Sequence, residues 1–198
     1  SNTAIDKKLA EIYYLKNDFS KAADAYSRFA MGPKANEEDL VRYAFALFLN
    51  HDFAKSLEVA NMGLKKNPRH AAFNRLAMYN NTDLKRFEEA LKAADVFFNE
   101  CDKADYSYLD YMYYGHLLEE LKKYDEAVGQ YEKAVELDPT KTDLYKNISS
   151  VYEQKNDYKK AIGAYHKYYS SLEKEKQTPD LQFQLGRLYY GAGTQPDS

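Results

Sequence analysis

One short sequence pattern recurs along the chain at a nearly constant spacing. Residues 16–26 read KNDFSKAADAY, and residues 155–165 read KNDYKKAIGAY. The shared element is an aromatic residue followed three positions later by a small residue, and the aromatics are Phe19, Phe53, Phe87, Tyr124 and Tyr158. Their spacings are 34, 34, 37 and 34 residues. Self-similarity at such a period indicates one structural unit that is stacked on copies of itself.

Each unit reads as a pair of helices, as the fourth copy illustrates. Its first segment has helical spacing of i, i+3, i+4 and i+7, with Tyr111, Tyr114, Gly115 and Leu118. After a turn at 122–124, the second segment continues this period with Ala127, Tyr131, Ala134 and Val135, and it stops at Asp138-Pro139. Small residues such as Gly115 and Ala127 allow two antiparallel helices to approach closely. With only 8 Gly and 5 Pro among 198 residues, we expect an all-α chain.

These units resemble the tetratricopeptide repeat, whose pattern is W-x2-L-G-x2-Y, then A-x3-F, then P. The fourth copy matches at Tyr111, Tyr114-Gly115, Leu118, Ala127, Tyr131 and Pro139. The fifth matches at Tyr145, Ile148-Ser149, Tyr152, Ala161 and Tyr165, and the first at Leu9-Ala10, Tyr13, Ala22 and Tyr26. The second and third copies are weaker. The resemblance implies a right-handed superhelical α-solenoid that binds proteins or peptides through the concave face lined by its first helices.

The expected domain organisation is a single solenoid over residues 3–198. Its repeats are predicted at 3–36, 37–70, 71–105, 108–141 and 142–178, with a partial sixth at 179–193; residues 1–2 are interpreted as a tag remnant. The third and fourth copies are 37 residues apart, and so are the fifth and sixth, so near 98–106 and 169–179 we expect second helices longer by about one turn. Thr178-Pro179 should start the sixth first helix, and Gly191 to Gly193 should form its turn. The incomplete sixth repeat predicts exposed apolar surface and end-to-end homodimerisation.

Composition and motifs argue against several other functions. The net charge of −3 gives no basic footprint for nucleic acid. The four histidines are scattered along the sequence, at His51, His70, His116 and His166, and Cys101 has no partner at metal-ligand spacing. No catalytic or phosphate-binding motif is present. We therefore predict that the chain is not an enzyme and binds no metal or cofactor. No apolar run reaches the roughly 20 residues that a membrane-spanning helix needs. The chain is expected to be soluble. Its compartment stays open between cytoplasmic and exported (periplasmic), because residues 1–2 are interpreted as a tag remnant and the native N-terminus is then expected to lie elsewhere.

The predicted partner-binding groove consists of first-helix positions that the packing pattern does not use. In the second copy these are Val41, Phe45 and Phe48, and the equivalents elsewhere are Lys7, Glu11 and Tyr14; Asn74, Met78 and Asn81; Met112, His116 and Glu119; and Lys146, Ser150 and Glu153. The groove is therefore expected to be apolar in copies two to four and charged at its flanks. We assign partner binding to Tyr14, Val41, Phe45, Phe48, Asn74, Met78, Asn81, Met112 and His116.

Two alternatives remain open at this point. Phe45 and Phe48 could instead fill the contact between neighbouring first helices. The segment could also be a regulatory or sensor part of a longer polypeptide rather than an independent protein or peptide-binding scaffold. The basic and asparagine clamp of family members that bind C-terminal carboxylates is not reproduced, because Glu11 and Arg42 stand where asparagines are expected.

Overall fold

In the computed structural model, which describes residues 2–101 and 105–194, regular structure is entirely helical. Five helix pairs and one further helix follow each other in chain order. The pairs are α1 (Thr3–Leu15) with α2 (Phe19–Ser27), α3 (Glu37–Leu49) with α4 (Phe53–Lys66), α5 (Ala71–Asp83) with α6 (Phe87–Asn99), α7 (Tyr108–Glu120) with α8 (Tyr124–Leu137), and α9 (Leu144–Gln154) with α10 (Tyr158–Ser171). A short 3₁₀ turn at Lys174–Lys176 precedes α11 (Pro179–Gly193). The all-helical prediction is confirmed.

The same tight turn joins the two helices of every pair. After α1, Asn17 adopts a left-handed conformation, its N–H donates to the carbonyl of Tyr14 at 3.1 Å, and the N–H of Asp18 donates to the carbonyl of Tyr13 at 2.9 Å. These two bonds form a Schellman motif, which satisfies carbonyl groups left unpaired at a helix end. The equivalent residues with positive φ, between 59° and 63°, are Asn17, His51, Lys85, Lys122 and Asn156. The residue that closes the first helix then begins the second, because the Asp18 carboxylate accepts from the backbone N–H of Lys21 at 3.2 Å.

Small residues let the two helices of a pair lie close together. A Cβ atom added to Gly115 of α7 would come within 2.8 Å of the Tyr131 ring on α8, so only glycine fits there without a shift. In the second pair, the hydroxyl of Ser56 donates to the carbonyl of Ala44 at 2.8 Å, which requires close backbones. A small side chain such as serine therefore allows the two backbones to come close enough for a direct hydrogen bond between the helices.

The chain divides into two compact units, Ser1–Asp105 and Tyr106–Ser198. The core of the first unit combines alanines with large aromatic and aliphatic side chains, including Tyr26, Phe29, Tyr43, Leu47, Phe73 and Leu76. A cluster of the second unit contains Ala161, Tyr165, Tyr168 and Leu188. In the described part of the chain, no helix is long and apolar enough to cross a membrane. The extension of one solenoid over residues 3–198 stays a prediction.

Two details of the sequence interpretation are wrong. The 37-residue spacings do not lengthen the second helices, since α6 ends at Asn99 and α10 has 14 residues, as α4 and α8 do. The extra residues lie in the connections that follow, of which residues 102–104 fall outside the described part. The predicted turn at 191–193 is instead the last turn of α11, whose end is at Gly193.

Candidate functional site

The second unit contains a cleft of about 540 Å³ that is bordered by its three first helices, α7, α9 and α11. We call it the polar cleft. Its lining residues are His116 and Glu119 of α7, Lys146, Asn147, Ser149, Ser150 and Glu153 of α9, Tyr165 of α10, and Leu181 and Gln184 of α11. Most of these side chains carry hydrogen-bonding groups. A cleft with this lining can exchange several hydrogen bonds with a polar ligand.

Helical periodicity places these side chains on matching faces. His116 and Glu119 are three residues apart on α7, and Lys146, Ser150 and Glu153 follow at i, i+4 and i+7 on α9. The start of α7 is set by a capping box, in which the backbone N–H of Ser107 donates to Asp110 at 2.8 Å. The rotation of each first helix, and hence the set of side chains in the cleft, follows from the apolar positions that pack against the second helices.

Glu119 is the most strongly positioned charged group of the polar cleft. Its Oε1 accepts a hydrogen bond from the Tyr131 hydroxyl at 2.9 Å, and its Oε2 accepts one from Gln154 Nε2 at 2.7 Å. Burial raises the pKa of the Tyr131 hydroxyl, and the nearby Glu119 carboxylate raises that pKa further, so the hydroxyl keeps its proton and remains a donor. Within the described residues, no cation lies at ion-pair distance from Glu119. The carboxylate is therefore held in place by neutral groups and can accept a donor from a ligand.

The other charged groups around the polar cleft have partners within the unit. Glu153 forms an ion pair with Arg187 of α11 at 2.5 Å. The ammonium of Lys146 lies 5.4 Å from the ring centroid of Tyr168. His116 is exposed, and its Nε2 is 3.9 Å from the carboxylate of Glu120. The cleft is therefore lined by acidic and basic groups together, which favours a ligand of mixed polarity over a polyanion.

The first unit has a related cleft of about 480 Å³ beside α1 and α3. Tyr14, one of the predicted binding residues, lines it together with Glu11, Leu15, Tyr26 and Arg42. Arg42 pairs with Glu11 at 3.5 Å and with Glu38 at 2.8 Å, so its guanidinium spans the two first helices. Glu11 and Arg42 thus form an ion pair with each other at the positions where the carboxylate-binding clamp would have asparagines.

The aromatic stripe of α3 packs mainly within the protein. Val41, Phe45 and Phe48 are half-buried against the core of the first unit. The Phe48 ring centroid is 5.4 Å from that of Tyr79 on α5 and 5.8 Å from that of Phe53. Phe48 therefore fills the contact between neighbouring first helices, as one of the two sequence interpretations proposed.

The three predicted residues of α5 lie in the interior. Met78 has no exposed surface, and the side chains of Asn74 and Asn81 are also buried. The amide of Asn74 donates to the carbonyls of Pro68 and His70 at 3.0 and 2.9 Å, which ties the preceding turn to α5. Asn81 borders a depression between α4 and α6. These side chains differ from the expectation because α5 is buried on more of its circumference than the repeat pattern indicates, so we leave them out of the proposed site.

Of the remaining predicted residues, Met112 is half-buried and His116 is exposed in the polar cleft. Sequence reasoning placed Glu119 at a groove position of the fourth copy, and Lys146, Ser150 and Glu153 at the charged flank, but it assigned partner binding to none of them. It missed Asn147, Leu181 and Gln184 entirely. If every side chain at an equivalent first-helix position had been assigned to the groove, Glu119, Lys146, Ser150 and Glu153 would have been included. Nothing in the sequence indicated that Tyr131 and Gln154 hold Glu119. Within residues 2–101 and 105–194, no group of three or more His, Cys, Asp or Glu side chains is arranged so that it could hold a metal ion.

Comparison with known proteins agrees with this architecture. A sequence profile described as TPR repeat matches residues 115–156. The solved structure of MamA from Desulfovibrio magneticus RS-1, residues 41 to the end, is 18% identical with a TM-score of 0.74; the match covers 89% of this chain and 97% of that one. The C-terminal part of a TPR repeat-containing protein from Cytophaga hutchinsonii is 26% identical with a TM-score of 0.67, and the match covers 77% of this chain and 58% of that one. No curated protein sequence matches.

The helix pairs and their repeated turns are tetratricopeptide-like, and residues 115–156 match the repeat itself. Among solved structures, its fold is similar to that of MamA.

Proposed function

We propose that the chain is a non-enzymatic scaffold that binds a protein partner as an extended peptide along its first helices. The observation that carries this proposal is the positioned carboxylate of Glu119 in the polar cleft. A carboxylate that is fixed before a ligand arrives loses little conformational freedom on binding, and this favours affinity. The fold supports the same proposal, because tetratricopeptide repeat proteins are typically interaction scaffolds rather than enzymes.

The proposed ligand contacts run along the cleft. A peptide N–H or a basic side chain donates to Glu119, while Ser150 and Asn147 exchange hydrogen bonds with peptide main-chain groups. Leu181 and Tyr165 supply apolar contact for a side chain. In the first unit, Tyr14 and the accessible parts of Val41 and Phe45 form a separate proposed contact surface. A role as a regulatory segment of a longer polypeptide is compatible with this mode of binding and stays a prediction.

Selection from a random peptide library, followed by calorimetric titration of the selected peptide, tests the proposal. Glu119→Gln should weaken binding by roughly ten- to a hundred-fold, because a hydrogen bond to a charged group contributes about 1.5–3 kcal/mol. The matched control is Glu136→Gln, since Glu136 is exposed on α8 and lies outside the polar cleft. Failure to select any peptide, or equal weakening by both variants, would contradict the proposed site.

A further inference from the structure

A separate cavity of about 380 Å³ lies in the first unit, where α2 ends early. Helix α2 has nine residues, whereas α4 has 14. The segment that follows Ser27 folds as successive turns, in which the N–H of Phe29 donates to the carbonyl of Tyr26 and the N–H of Gly32 donates to that of Phe29. Pro33 cannot donate a helical hydrogen bond, so the helix could not continue through it. The turns leave space beside the ends of α2 and α4, which we call the apolar cavity.

The walls of the apolar cavity are largely hydrocarbon and thioether. Ala30 and Met31 come from the turns, Leu40 from α3, Met62 from α4, and Phe73 from α5. Met31 is 49% exposed and Met62 is 39% exposed, so both thioethers reach the solvent side of the cavity. Methionine side chains adapt their shape easily and are frequent at surfaces that bind apolar ligands.

One wall of the cavity is held firmly. A Cβ atom added to Gly63 would lie 2.3 Å from the Phe73 ring, which shows that the ring packs directly on the backbone of α4. The His70 ring lies 4.5 Å from Phe73, and His70 Nε2 is 3.2 Å from the carboxylate of Glu37. The acidic group at this opening therefore already has a partner.

Two cations also line the cavity. Lys65 and Lys66 are exposed in the last turn of α4 and line the cavity. Neither forms an ion pair with any described residue. Their charges are favourable next to the carbonyl end of α4, and they remain available to an anion. An apolar cavity with cations at its mouth is complementary to a molecule with a hydrocarbon tail and one negatively charged head.

We propose that the apolar cavity binds a small free carboxylate with a hydrocarbon tail, of the medium-chain fatty acid class. A volume of about 380 Å³ holds about a dozen water-sized groups, which corresponds to a carboxylate of about ten carbons. The tail lies against Met31, Leu40 and Met62, and the carboxylate lies at Lys65 and Lys66. This site is distinct from the polar cleft and does not depend on peptide binding.

The four methionines make a direct test possible. In the protein labelled with ¹³C at its methionine methyl groups, decanoate should shift the signals of Met31 and Met62. The signals of Met78, which is buried, and of Met112, which belongs to the second unit, should not move. Acetate should cause no shift. Equal shifts of all four signals, or no shift at millimolar decanoate, would overturn the proposal.

Charge and volume are tested separately with variants. Lys65→Gln/Lys66→Gln should raise the dissociation constant of decanoate by about two- to thirty-fold, because exposed ion pairs contribute about 0.2–1 kcal/mol each. The control Lys8→Gln/Lys16→Gln, which removes two exposed cations of the first unit, should leave it unchanged. Ala35→Leu should fill the cavity and abolish binding. The assigned ligand class is wrong if the protein binds decan-1-ol as tightly as decanoate. It is also wrong if the protein sediments with anionic phospholipid vesicles but does not bind free decanoate.

Discussion

The close contact between the helices of a pair can be measured by adding one methyl group at Gly115. In Gly115→Ala the new Cβ lies 2.8 Å from Cδ1 and 2.9 Å from Cε1 of Tyr131, so the ring must move. Overpacking of this kind costs about 1–3 kcal/mol. Replacement of glycine by alanine inside a helix returns about 1 kcal/mol. We therefore expect Gly115→Ala to lower the free energy of unfolding by up to about 2 kcal/mol.

Gly129→Ala is the matched control, because it makes the same substitution in α8 of the same pair. A Cβ added to Gly129 meets no atom within 4 Å, so only the gain in helix propensity remains. We expect this variant to stabilise the protein by up to about 1 kcal/mol. Gly163→Ala, on α10, has an equally open environment and should behave in the same way.

Urea unfolding followed by circular dichroism measures the contrast between these variants. The predicted difference between Gly115→Ala and Gly129→Ala is about 1–3 kcal/mol, which corresponds to roughly 1 M urea in the midpoint. Comparing two variants of one helix pair reduces the effect of any departure from two-state unfolding. If Gly115→Ala is as stabilising as Gly129→Ala, the Tyr131 ring shifts without cost, and the close-packing argument is refuted.

Three further predictions concern aromatic residues. Phe48→Ser should destabilise the first unit by about 2 kcal/mol or more, because it removes the ring packed on Tyr79; an unchanged urea midpoint would show that Phe48 is a surface residue. Burial raises the pKa of the Tyr131 hydroxyl above 10.0, so this group loses its proton at lower pH in the unfolded state than in the folded state. The free energy of unfolding should therefore fall as the pH rises above about 10, and it should fall less steeply in Tyr131→Phe. Identical alkaline unfolding curves for the two proteins would contradict this. Phe183 and Tyr190 are each 75% exposed on α11, so we expect the chain to self-associate through these side chains. Sedimentation should show this self-association, and Phe183→Ser/Tyr190→Ser should remove it. A strictly monomeric wild-type chain would contradict the prediction.

The repeated sequence pattern predicts the helix pairs because every copy carries both the small contact residues and the aromatics that pack around them. It also locates the turns, although Lys85 and Lys122 are not residues that normally signal a left-handed conformation. The repetition of the surrounding pattern is the stronger indicator there. By contrast, the early end of α2 depends on how the segment around Pro33 folds, and the repeat period contains no information about it.

The candidate site is less predictable than the fold. Repeat alignment identifies which positions of a first helix are free of the packing pattern, but it does not show how much neighbouring structure covers them. Met78 occupies such a position and is fully buried, whereas His116 occupies the equivalent position of the next copy and is exposed. The hydrogen bonds that hold Glu119 come from Tyr131 and Gln154, which lie on other helices, so they emerge only from the three-dimensional structure.

The central claim is that a peptide binds along the first helices of the second unit. A crystal structure of the chain with a peptide selected from the library tests this claim most directly. The account predicts that the peptide lies in an extended conformation against α7 and α9, with a donor group within hydrogen-bond distance of Glu119. A peptide bound only to the second helices α8 and α10, with the polar cleft containing solvent, would contradict it.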